Sequence, residues 1–173
     1  MTLANYLYSL AYSDTYLKND WQDWATRLLE KNIIYNEDTA WLFDVVFAGT
    51  KKKLFNVISK RMTDENYNYY HEITRTEIIQ GYYYSAYLNE KIDRYQLLEK
   101  SGDVSDAGQD EGELGCEFFY RLLNELTNNP TKICCEAFNH IIKNTFEHSY
   151  DMAMVQKNKL ENCTFDDIIS LVL

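Results

Sequence analysis

The chain has 173 residues, of which 46% are hydrophobic and 15% aromatic, and a formal charge of −10. It is long enough to bury a core and too apolar for a disordered chain. The acidic balance argues against binding duplex nucleic acid, which needs a cationic patch to replace phosphate counterions; the only dense basic run is Lys51, Lys52 and Lys53, followed by Lys60 and Arg61.

Further classes fall to simple patterns. Uninterrupted apolar runs stay below the roughly 18 residues of a membrane span, so no membrane partner is expected. No basic residue precedes the first apolar stripe, which argues against a secretory leader. Cysteines at 116, 134, 135 and 163 form neither a CxxC pair nor a regular zinc spacing. They read as reduced thiols of a cytoplasmic protein.

In chain order, Leu3, Leu7 and Leu10 share one helical face. Asp20 precedes WQDWATRLLEKN, where Trp21, Trp24, Ala25, Leu28 and Leu29 recur at three- and four-residue steps. NEDTAWLFDVVFAG supplies an acidic start, an apolar body and Gly49 as a stop, and Thr50 opens KKKLFNVISKRM with Leu54, Phe55, Ile58 and Met62 on its inner side. These two runs suggest an antiparallel helical hairpin with a short joint.

Residues 67–98 read as one long helix crossing two neighbours, because no single stripe holds so many tyrosines. Gly81 would allow a close approach or a bend. A strand over GYYYSAY is the alternative, since tyrosine favours sheets. ELGCEFFYRLLNELTNN is a clear amphipathic helix, Pro130 falls near the start of another over residues 131–149, and Thr164 caps a short last one. The expected fold is all-α, a compact single-domain bundle over residues 1–173, with six or seven helices, antiparallel neighbours joined by short loops, and an exposed acidic loop at 100–113.

That acidic stretch, SGDVSDAGQDEGELG, matches neither a calcium loop nor a phosphate loop. An EF-hand loop needs oxygen ligands at positions one, three and five, glycine at six and glutamate at twelve. Starting at Asp103 leaves Ala107 at five and Leu114 at twelve; starting at Asp106 leaves Gly108 at three. Its glycines do not form a phosphate loop either. LEKSGD, residues 98–103, has a Leu-x-x-x-Gly-Asp spacing that resembles the death-regulating helix of apoptosis regulators. The Asn-Trp-Gly-Arg segment of the complete fold is absent, and no residue role follows.

Catalytic material is thin. His140 and Glu136 stand four apart with His148 two turns on, and a Cys134 or Cys135 thiol could meet a distant histidine, but neither forms a known motif. Glu90–Arg94 and Glu117–Arg121 fit ordinary helix ion pairs. No catalytic, cofactor or metal residues are assigned.

The function expected from these features is a small acidic binding protein that neutralises or regulates a basic protein partner such as a toxin or nuclease, as an immunity or inhibitor protein does. Its partner-binding residues would be Asp103, Asp106, Asp110, Glu111 and Glu113 with Tyr69, Tyr83 and Tyr87, because carboxylates steer basic partners and exposed tyrosines anchor interfaces. The alternatives are a small helical enzyme with a Cys/His/Glu site, and a homo-oligomeric module in which the tyrosines form a homodimer contact.

Overall fold

Apolar side chains at three- and four-residue steps wind this chain into helices. The computed structural model describes residues 3–31, 37–64, 71–107 and 114–164. Eight α-helices lie among these residues: α1 (Leu3–Tyr12), α2 (Lys18–Lys31), α3 (Glu37–Phe47), α4 (Lys51–Asp64), α5 (His71–Leu88), α6 (Arg94–Ala107), α7 (Cys116–Asn128) and α8 (Glu136–Asn162). A 3₁₀ turn over Pro130–Cys134 precedes α8, and no strand occurs among the described residues. The fold is all-α. GYYYSAY is helical, and the expected last helix after Thr164 lies outside the described residues.

The contacts group into two compact units, Met1–Asn68 with Gln156–Leu173, and Tyr69–Val155. In the first, Leu7 and Leu10 of α1, Trp24 and Leu28 of α2, Trp41 and Leu42 of α3, Leu54 and Ile58 of α4, and Leu160 of α8 are buried. Each such leucine or isoleucine contributes about 1.5–3 kcal/mol by leaving water. Trp24 and Trp41 meet at 6.0 Å between ring centroids. Two indole N–H groups are used as ties: Trp21 donates to the Ala48 carbonyl and Trp24 to that of Leu160, each at 3.0 Å. These bonds fix α2 against the end of α3 and the last turn of α8.

The end of α1 is closed by a side chain from the start of α4. Asp14 takes a left-handed φ of 58°. The Lys51 ammonium donates to the Tyr12 carbonyl at 2.9 Å and to the Asp14 carboxylate at 2.8 Å. It also stands 5.8 Å from the centroids of Tyr12 and Phe55. A cation at a helix C-terminus answers both the exposed carbonyls and the negative end of the helix dipole.

In the second unit, residues 78–84 of α5 are buried around the whole circumference of the helix. Ile78, Ile79, Tyr82, Tyr83 and Tyr84 are all enclosed, which is why no single stripe could be read from it. Gly81 lets α8 approach at backbone distance: a Cβ there would overlap the Ser149 carbonyl and lie 2.8 Å from Ala153 Cβ. Tyr84 stacks on Phe146 of α8 at 5.4 Å, and Phe119 of α7 meets the same ring at 5.7 Å. Between α5 and α6 the Gln80 amide donates to Ser105 Oγ at 2.8 Å, and Ser105 donates to the Ser101 carbonyl at 3.0 Å.

The long helix expected over 67–98 is divided. α5 ends in a tight reversal in which Lys91 N–H bonds the Ala86 carbonyl and Glu90 N–H that of Tyr87, with Glu90 at a φ of 56°. This is the hydrogen-bond pattern of a Schellman cap, occupied by glutamate where glycine is usual. α6 then starts with a capping box: Gln96 N–H bonds the Asp93 carboxylate at 2.8 Å, and Asp93 N–H bonds Gln96 Oε1 at 2.9 Å. Glu90 and Arg94 therefore no longer share one helix.

Gly81→Ala is expected to destabilise the protein by about 3 kcal/mol or more, because a methyl group cannot enter a backbone contact without moving a helix. Glu90→Gly is expected to raise stability by about 1 kcal/mol by relieving the left-handed strain. Urea unfolding followed by far-UV circular dichroism measures both.

Candidate functional site

The acidic stretch is partly helix. Ser101–Ala107 form the last turns of α6, where Ser101, Gly102, Val104 and Ser105 are buried and Asp103 and Asp106 are exposed. The expected loop is thus corrected over its first half. An apolar or small residue at each inward position lets these turns pack, and Gly102 sits under the Tyr120 ring, whose Cε1 would be 2.5 Å from an added Cβ. Asp110, Glu111 and Glu113 lie outside the described residues.

Of the carboxylates that are described, Asp103 accepts a hydrogen bond from the Tyr120 hydroxyl at 2.8 Å. That bond to a negative acceptor stabilises the protonated phenol and pushes Tyr120 up to about 12. Asp106 lies 3.8 Å from the Cys116 thiol. These two acids sit on one exposed edge of α6, beside the start of α7.

The tyrosines divide differently from expectation. Tyr83 is only 6% exposed, with the Lys100 ammonium 5.4 Å from its ring centroid, so its ring is unsuited to anchoring a partner. Tyr87 is half-buried and accepts from the Arg94 guanidinium at 2.8 Å. Arg94 also bonds Asn139 Oδ1 and stands 5.6 Å from the Phe138 ring centroid. Tyr69 lies outside the described residues.

Among the described residues nothing brings the histidine and cysteine candidates together, and the Cys134 side chain lies outside them. His140 is exposed and shares a 3.2 Å hydrogen bond with Asn144, one turn along α8. Cys135 is exposed and Cys116 half-buried. Among the described residues no group of three His, Cys, Asp or Glu side chains is arranged to hold a metal ion, and no helix is long and apolar enough to cross a membrane.

A more concentrated site lies in the first unit, where sequence reading placed none. The segment before α2, the first three turns of α2 and the end of α8 line a cleft of about 470 Å³, with Tyr16, Asp20, Asp23, Trp24, Arg27 and Glu161 on its walls. Asp20, Asp23 and Arg27 share one side of α2 through the three- and four-residue spacing. Trp24 sits at its floor, held by its bond to the Leu160 carbonyl. Asp20, expected as a cap before the helix, is instead the third helical residue, and its carboxylate accepts the Leu17 N–H at 2.7 Å. Burial first, and then the Glu161 carboxylate, raise the Tyr16 phenol above its ordinary value. Tyr16 consequently stays neutral and donates to Glu161.

Three carboxylates against one guanidinium give this cleft a negative field, and the half-buried Tyr16 ring gives it a face for a cation, while the buried Trp24 closes its base. Its volume falls within the roughly 300–1,000 Å³ of ordinary binding pockets. The sequence signal for this cleft is the Asp20–Asp23–Arg27 row, whose three- and four-residue spacing puts these side chains on one side of α2. The contribution of Glu161, remote in sequence, had no local signal at all.

No protein-family model matches this chain, and no curated protein or solved structure is detectably similar to it.

Asp103→Asn is expected to lower the Tyr120 titration midpoint from about 12 toward the ordinary 10.0. The sign follows from the neutral phenol being the bonded form: the contact is complete below pH 10 and is lost as pH rises through about 12. Ring-carbon NMR of labelled tyrosine, assigned with Tyr120→Phe, reads it.

Proposed function

We propose that this chain is a small acidic binding protein that neutralises or regulates a basic protein partner, acting as an immunity or inhibitor protein. The observation that carries this reading is the cleft of α2 and α8, in which Asp20, Asp23 and Glu161 converge beside Tyr16 and Trp24. A lysine or arginine side chain of the partner enters there. Its charge is met by carboxylates and its flat or aliphatic part by the Tyr16 ring.

Net charge alone would be weaker support. The Debye length is about 8 Å at physiological ionic strength, so scattered surface acids act only nearby. Converging acids at one cleft retain their effect on a bound cation. Asp103 and Asp106 form a second acidic surface in this proposal, which speeds encounter more than it holds the complex. Tyr83 is removed from the binding set by its burial. The partner is a protein and not duplex nucleic acid, and no cofactor takes part.

The test is capture from the native host on the immobilised chain, at low and moderate salt, identified by mass spectrometry. One basic protein recovered at near-equal stoichiometry is the expected result. Asp23→Asn, which leaves the helix-start bond of Asp20 intact, should weaken that complex by roughly tenfold, as loss of a charge-assisted contact does. Asp103→Asn with Asp106→Asn should slow association with little effect on dissociation. Recovery of no basic protein by a folded bait rejects the reading.

A further inference from the structure

The side of α2 next to the acidic cleft carries a second concavity of opposite character. Thr26, Leu29 and Glu30 of α2 face Phe43, Val46 and Phe47 of α3 across a groove of about 300 Å³ whose accessible wall is apolar throughout. At 100° per residue, these α2 positions lie about a third of a turn from Asp20, Asp23 and Arg27. Gln22 lies beneath them and donates to the Val46 carbonyl at 2.7 Å, fixing the spacing of the two helices. Phe47 is 78% exposed at the groove's edge, the most exposed of the large apolar side chains described.

Singly, such a residue is ordinary surface, but here it extends an apolar groove, which is the setting in which exposed apolar side chains take part in binding. The surroundings limit what that is. Glu30 is among the groove's lining residues, and Asp44, next in sequence to the lining residue Phe43, is exposed. The α3 sequence EDTAWLFDVVF contains three carboxylates and no cation. An acidic rim around an apolar floor is complementary to a basic segment that carries apolar side chains, and it repels an acidic one.

We infer that the α2/α3 groove is the apolar half of the same recognition surface: it receives a leucine or aromatic side chain from a basic, amphipathic segment of the partner, while the neighbouring acidic cleft takes a cation. This rests on the acidic-binder reading above. α2 is then the ridge that the partner straddles. The two concavities divide the labour, since charge selects and orients the partner while burial of one apolar anchor slows its release.

Two synthetic lysine-rich peptides of equal length and charge test this, one with leucines at helical spacing and one with glutamines in their place, titrated calorimetrically into the full chain. The leucine peptide should bind roughly tenfold more tightly, the worth of one well-buried apolar side chain. Phe47→Ala and the groove-filling Thr26→Trp should each remove that advantage and leave glutamine-peptide binding unchanged. Circular dichroism confirms that the variants fold, and the exposure of Phe47 makes its truncation tolerable. Equal affinity of the wild type for both peptides, or an advantage that survives both variants, overturns the groove assignment while the acidic-binder reading stands. Binding of neither peptide rejects that reading, and the groove's partner with it. Sedimentation of the wild type as a dimer that Phe47→Ala dissociates would assign the groove to a second copy and overturn the inference.

Discussion

The contact between Gly81 and the Ser149 carbonyl sets the packing of the second unit. Because the α5 and α8 backbones touch there, the side chains on either side are brought within reach of each other, and Tyr84 stacks on Phe146. Phe119 reaches the same phenylalanine from α7. A larger residue at position 81 would separate the helices and dissolve this aromatic cluster, whatever the quality of the remaining contacts. The buried Gln80–Ser105 bond belongs to the same arrangement, since a side-chain amide can be enclosed only where its partner is held at hydrogen-bond distance.

The all-helical class was legible because it depends on local spacing. Leu7 and Leu10, Trp24 and Leu28, and Leu54 and Ile58 recur as a one-sided helix requires, and all are buried. The boundary between α5 and α6 was not legible. Glutamate at position 90 gives no sign of a left-handed residue, and Asp93 and Gln96 become a capping box only once that reversal is made. The acidic stretch misled for a related reason: its glycines and serines looked like loop, whereas Gly102 and Ser105 are small because α7 and α5 pack against them.

The candidate site was less legible than the fold. Asp20, Asp23 and Arg27 could be placed on one side of a helix, with Tyr16 just before it, but nothing in the sequence brings Glu161 to them. That requires the Trp24 bond to Leu160, made across 136 residues of chain. Tyr83 shows the converse. A tyrosine in a run of tyrosines looks available, but its exposure is decided by how many neighbours its helix has, and α5 is surrounded. Composition thus shows an acidic, tyrosine-rich chain without indicating which acids and which tyrosines face outward.

The indoles of this chain are unevenly shared. All three tryptophans, Trp21, Trp24 and Trp41, belong to the first unit, while the second contains only tyrosine and phenylalanine among its aromatic rings. Intrinsic emission excited at the red edge of the protein band therefore arises from one unit alone, whereas helical ellipticity sums over both. The protein carries its own optical label for cooperativity. Melting curves that coincide in the two signals mean a single transition shared by both units, and curves that separate give the stability of each.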